Sequence, residues 1–235
     1  KQIAILASGN GSNAEAIVHH FRATGEAEVA MIITNKPQAG VIQRAERLGI
    51  PCHYFTNAEL REGTHPIALM KEHGVELIIL AGYLCLITPI YIMEYPERII
   101  NIHPALLPSF GGQGMYGDRV HAAVITSGAK ESGITIHLVD EDYDHGRHLL
   151  QATCPVRPDD TVDTLAARIH ELEHRFFPTT IAQYLRSSKE APPYITKPPH
   201  SESPTWPAVG RLFFSLAWRA GAHIYNVYAD AKGVR

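Results

Sequence analysis

Three short stretches carry side chains able to do chemistry together. In Asn101-Ile102-His103-Pro104 the amide and the imidazole are two residues apart, so on a strand they share one side while Ile102 faces the other. Pro104 cannot continue a ladder and leaves both polar groups at the strand's carboxyl end. An amide that can donate to a developing oxyanion, beside an imidazole titrating near neutrality, suits acyl transfer. Taken alone, Asn-x-His fits a structural histidine as well.

The second stretch, Ser8-Gly9-Asn10-Gly11-Ser12-Asn13-Ala14, lies between a strand-like and a helix-like run. Its glycines permit a sharp turn, and a helix N-terminus offers unpaired N–H groups to an anion. The spacing also satisfies the dinucleotide pattern G-x-G-x-x-A. That reading needs an acidic residue after the second strand, where Thr34-Asn35-Lys36 stands instead. A single phosphate is the better guest, and a tight turn without ligand is the alternative. The third stretch, Val139-Asp-Glu-Asp-Tyr-Asp-His-Gly146, is an acidic loop. A carboxylate from it near His103 would raise the imidazole pKa; a solvated turn is the other reading.

A rival constellation is His170-Glu171-Leu172-Glu173-His174, which fits the H-E-x-x-H helix of zinc hydrolases. Its third ligand is not evident: Glu190, His200 and Glu202 fall in or beside a Pro-rich stretch.

The elements that must position these groups follow from periodicity. Runs 3–7, 29–34, 76–81, 99–102 and 134–139 are β-branched-rich and read as strands, whereas 13–24, 41–48, 66–73 and 120–127 carry helical spacing. The alternation predicts an α/β fold, doubly wound, with a mostly parallel sheet and helices on both faces. Ligands of such sheets bind outside the carboxyl ends of strands. Residues 161–185 read as a long helix that Pro178 should break or kink. The predicted domain covers 1–186; 187–235 is a Pro-rich, then apolar, extension without an assigned role.

Composition excludes several classes. A net charge of −3 provides no basic surplus for nucleic acid. The longest apolar run, Leu77–Ile87, has 11 residues, about half of the ~20 that span a bilayer. Cys52, Cys85 and Cys154 are odd in number and widely spaced, which suits a reducing cytoplasm rather than a disulfide scaffold or cysteine zinc site.

Together, Ser8–Asn13, Asn101-Ile-His-Pro-Ala-Leu-Leu-Pro108, Asp144-His-Gly146 with Leu149-Leu-Gln151, and Glu173-His174 with Pro178 resemble the phosphoribosylglycinamide formyltransferases over residues 1 to 185. The resemblance implies formyl transfer from 10-formyltetrahydrofolate to the amine of glycinamide ribonucleotide, a step of purine biosynthesis, with no metal. It implies a catalytic trio of Asn101, His103 and Asp144, with protonated His103 stabilising the oxyanion. Gly11, Ser12, Asn13 and Glu173 would hold the nucleotide. Leu84, Cys85, Leu86, Ile87, Ile92, Arg61 and Asn101 would serve the folate. Cys85 stands where many relatives carry Arg, residues 109–119 form a longer Gly-rich lid, and His121 is a secondary candidate beside it. The expected partners are small molecules, with neither nucleic acid nor membrane, and a homodimer is compatible with this. Rival readings are formyltetrahydrofolate hydrolase, which would add a domain before the core, methionyl-tRNA formyltransferase, which would add a basic one after it, and a non-catalytic phosphate-binding module.

Overall fold

The computed structural model describes residues 1–187 and the backbone of 225–228. Five strands, β1 (Gln2–Leu6), β2 (Glu28–Thr34), β3 (Cys52–Tyr54), β4 (Val75–Leu80) and β5 (Ile99–His103), lie parallel in the order β3-β2-β1-β4-β5. The sheet continues through β6 (Glu131–Leu138) and β7 (His148–Pro155). β6 is antiparallel to both of its neighbours, β5 and β7. A last strand, β8 (Tyr225–Tyr228), runs parallel to β7 at the edge. The Pro-rich stretch falls among residues 188–224, outside the described residues.

The strands are built for burial on both sides. Along β1, Ile3 and Ile5 enter one core and Ala4 and Leu6 the other, as the two-residue pleat requires. The first core is roofed by α1 (Ser12–Thr24), α2 (Gly40–Leu48) and α7 (Val162–Ser187), which contribute Ile17, Phe21, Val41, Ile169 and Phe177. The second is roofed by α3 (Asn57–Glu62), α4 (Thr64–Glu72) and α5 (Pro89–Glu94) through Leu60, Ile67, Met70 and Tyr91. Each such side chain contributes about 1.5–3 kcal/mol by leaving water. α6 (Asp118–Thr126) packs against α7.

The structure departs from the sequence expectation in three ways. β3, β7, α3 and α5 were not anticipated. The run near 134–139 lengthens to 131–138 and is antiparallel, so the doubly wound pattern stops at β5. Pro178 does not end α7, which is one helix from 162 to 187. Pro178 is buried with Leu172, Phe177 and Ile181, and that face holds the helix to the sheet. In the same turn the Thr179 and Thr180 hydroxyls donate to the Phe176 carbonyl, at 3.0 and 2.7 Å.

Candidate active site

A cavity of about 860 Å³ opens where β1, β4 and β5 end, a size suited to small-molecule ligands. Its first wall is the turn after β1. Gly11 caps α1 in the left-handed conformation, φ 83°, and no side chain caps that helix, so its first N–H groups stay available to an anion. A Cβ on Gly11 would lie 2.4 Å from Val41 Cγ2; glycine is therefore required twice over, by torsion and by packing. Asn13 Nδ2 donates to Glu173 Oε2 at 2.8 Å, which ties this turn to α7. Glu173 is buried and also accepts from His170 Nδ1 at 2.9 Å. That contact raises the His170 pKa.

The second wall is Leu84-Cys85-Leu86-Ile87, after β4. Ser8 Oγ donates to Asn35 Oδ1 and accepts from the Leu84 N–H, joining the two loops. The Cys85 thiol is occupied within this support: it accepts from Asn35 Nδ2 at 3.3 Å and faces Asn57 Oδ1 at 3.4 Å. All three cysteines are free thiols.

The third wall joins side chains from β5, β6 and the acidic turn. Asn101 and His103 sit on one side of β5 as alternation requires. Across the antiparallel ladder they face His137 and Thr135 respectively. The acidic turn leaves β6 beside Ile100 and Val139 N–H bonds back to Ile99, so it must fold back over this side to reach His103. Asp144 does so in a left-handed conformation, φ 58°, with Oδ2 3.6 Å from His103 Nδ1 and Oδ1 3.6 Å from His137 Nε2. A Cβ on Gly146 would fall 1.7 Å from the Leu138 carbonyl oxygen, so the return strand can close only past a glycine. The Gly112 N–H donates to Asp144 Oδ2 at 2.9 Å and anchors the Gly-rich loop.

Hydrogen bonds assign the proton positions. His103 Nε2 is 2.8 Å from the Phe110 carbonyl, which can only accept, so the ring's proton sits there and the lone pair of the neutral ring is on Nδ1, toward Asp144. By the same argument His137 Nδ1 donates to the Leu138 carbonyl, and its Nε2 accepts from Asn101 Nδ2 at 3.1 Å. One Asn101 N–H remains for a ligand. Burial pushes the His103 pKa down, and the opposing pull of Asp144 and the Phe110 carbonyl does not offset it. The carboxylate does raise the value, as expected, but at 3% exposure the cost of desolvating a cation outweighs a carboxylate 3.6 Å away and the net direction is down. Burial works against the Asp144 anion too, but the positive charge the neighbouring His137 and His103 rings bear when protonated, together with the Gly112 N–H bond, outweighs it and holds that carboxyl below the usual range.

The cavity thus gathers Asn101, His103, Asp144, Gly11, Ser12, Asn13, Glu173 and residues 84–87. Arg61 and Ile92 do not line it. Arg61 is exposed at the end of α3, where its carbonyl accepts from Thr88, and Ile92 packs on the second core. The zinc arrangement fails on placement: His170, Glu173 and His174 line the cavity, Glu171 does not, and His170 Nδ1 is engaged by Glu173. Among the described residues no group of three or more His, Cys, Asp or Glu side chains is placed to hold a metal ion.

Sequence reading missed His137 and Thr135, although the alternation Ile134-Thr135-Ile136-His137-Leu138 marked them as the polar side of an apolar strand. Thr135 Oγ1 donates to the Ala105 carbonyl and accepts from the Leu107 N–H, while Gln151 Nε2 donates to it. These bonds fix the turn that follows His103.

The formyl transferase family model matches residues 1–181. The chain is 42% identical over 184 residues to the chloroplastic phosphoribosylglycinamide formyltransferase of Arabidopsis thaliana, covering 75% of this chain and 63% of that protein. It is 41% identical over 192 residues to phosphoribosylglycinamide formyltransferase of Bacillus subtilis, covering 79% and 95%. It spans less than two thirds of the plant relatives' length. The crystal structure of phosphoribosylglycinamide formyltransferase from Bacillus halodurans superposes with a TM-score of 0.72 at 36% identity, over 80% of this chain and 97% of that one.

Proposed function

Because the chain belongs to the formyl transferase family, we propose that it moves the formyl group of 10-formyltetrahydrofolate to the amine of glycinamide ribonucleotide. The observation that carries this reading is the convergence of Asn101, His103 and Asp144 in the cavity that also holds the uncapped N-terminus of α1. The phosphate takes the N–H groups of Ser12 and Asn13, and Glu173 takes ribose hydroxyls. The folate lies along Leu84–Ile87, whose exposed Leu84 and Leu86 side chains offer an apolar surface beside main-chain polar groups, a fitting match for a flat, amide-edged ring. The co-substrate supplies an activated formyl carbon.

The chain's own residues do the rest. The spare N–H of Asn101 donates to the formyl oxygen as negative charge develops there. As the amine adds to the formyl carbon, His103, neutral in its buried resting state, accepts the amine's proton at Nδ1, directly or through a water. It gives that proton to the folate nitrogen as the bond from that nitrogen to the formyl carbon breaks and tetrahydrofolate leaves. The ring's charge thus arises during the reaction, and the Asp144 carboxylate stabilises it when it does. His137 fixes the orientation of the Asn101 amide. Free thiols fit the cytoplasm as the place of work.

The test is an activity assay with glycinamide ribonucleotide and 10-formyltetrahydrofolate, offering water and formylatable tRNA as competing acceptors. Formylated nucleotide formed in step with tetrahydrofolate is expected. Formate release without nucleotide product would establish a hydrolase instead, and formylated tRNA would overturn both.

A further inference from the structure

Two buried polar atoms on the cavity wall have no hydrogen-bond partner among the described residues, Asn13 Oδ1 and His121 Nδ1. His121 is the less expected of the two. It lies on α6, is 2% exposed, and among the described residues no hydrogen bond holds its ring. Nδ1 is sealed from solvent, so the ring nitrogen that can meet a ligand in the cavity is Nε2, which makes no hydrogen bond among the described residues. The charged and titratable groups around it are Glu173 and His170 on α7, Asp118 on its own helix, and His103 on β5. The ring therefore shares the cavity with Glu173 on one hand and the reacting imidazole on the other.

Its protonation follows from the surroundings. Burial lowers its pKa in spite of Glu173 and Asp118, so the ring is neutral. A proton on Nδ1 would be stranded without an acceptor, whereas a lone pair there costs less; the proton belongs on Nε2. A neutral single donor matches a neutral acceptor better than it matches a phosphate, which cations and helix N-termini serve.

We infer that His121 is a substrate-specificity residue, whose Nε2–H donates to the amide carbonyl oxygen between the ribosyl phosphate and the attacking amine of the nucleotide. This rests on the formyl-transfer reading above. The substrate has one such carbonyl, and it must lie between the groups that Glu173 and His103 engage. The bond would select a glycinamide over a ribosyl phosphate lacking it, and would hold the amine's chain straight toward the formyl carbon.

Two polar replacements separate this role from a packing role. In His121→Gln the side-chain amide reaches the place of Nε2; in His121→Asn it reaches only that of Nδ1. Calorimetric titration of each variant with glycinamide ribonucleotide and with ribose 5-phosphate is the measurement. The expected result is about a tenfold loss for glycinamide ribonucleotide in His121→Asn, the worth of one hydrogen bond, with ribose 5-phosphate unchanged and His121→Gln close to wild type. Equal weakening of both ligands, or no loss in His121→Asn, overturns the assignment. A wild-type protein that binds the two ligands equally would overturn the acceptor reading itself, and His121's role with it.

Discussion

The turn after β1 and the junction of β5 with β6 line the same cavity but work by different means. The turn presents main-chain N–H groups at the head of α1, placed by the left-handed Gly11 packed on Val41. The junction presents side chains drawn from β5, β6 and the 140–146 turn, buried together, with His103 and Asp144 both titrating lower than usual. Anion binding by main chain depends on local conformation and tolerates many side chains. Proton transfer depends on particular atoms held a few ångströms apart, and does not.

Substitutions can sharpen or break that contrast. The largest effect is expected for His103→Ala, which should lower kcat by ~10²–10⁴-fold while leaving the nucleotide Kd within about twofold. Single-turnover rates beside a nucleotide titration check this, and a parallel loss of affinity would make His103 a structural group. Asp144→Asn preserves shape and the acceptor for the Gly112 N–H but removes the charge. It should lower kcat by about a hundredfold. Because Asp144 pulls the His103 pKa up, its loss should lower that pKa further. Activity is lost as pH falls and the base becomes protonated, so the acid limb of kcat/KM should move to lower pH in Asp144→Asn. A shift to higher pH would reverse the assignment of base and support.

Gly11→Ala probes the other region. A Cβ 2.4 Å from Val41 Cγ2 at a positive φ should cost about 1–3 kcal/mol of stability. Nucleotide affinity should fall about tenfold as the N–H groups shift, and the pH profile of kcat should stay in place. A changed profile would show that the two regions are not separable. The smallest effect belongs to Cys85→Ala. Sulfur is a weak acceptor, and Asn35 keeps its 2.8 Å bond to Asn57, so the KM for the folate should change by less than about threefold.

Much of this was legible in the chain. Four of the five parallel strands announced themselves because buried strands read as apolar runs, and amphipathic runs alternate with them. The unanticipated pieces were short or marked by subtler signals. Thr56-x-x-Glu59 forms a capping box that starts α3, and Thr88-Pro89 opens α5. In β7, Leu150, Ala152 and Cys154 are buried at every second position. β3, at three residues, left no period to detect.

By itself the sequence determined which groups were available: Asn101 beside His103 on one strand side, glycines where α1 begins, and an aspartate in a turn. These are local properties, because alternation, left-handed torsions and capping act over a few residues. Tertiary structure decided what those groups meet. Only the reversal of β6 sets His137 against Asn101 and Thr135 against His103, and only the folded-back turn brings Asp144 to both rings. The net direction of the His103 pKa was decided at the same level. Sequence names the neighbouring charge, but how much water remains around a ring is fixed by the packing of distant segments, and in a buried site that desolvation outweighs the charge.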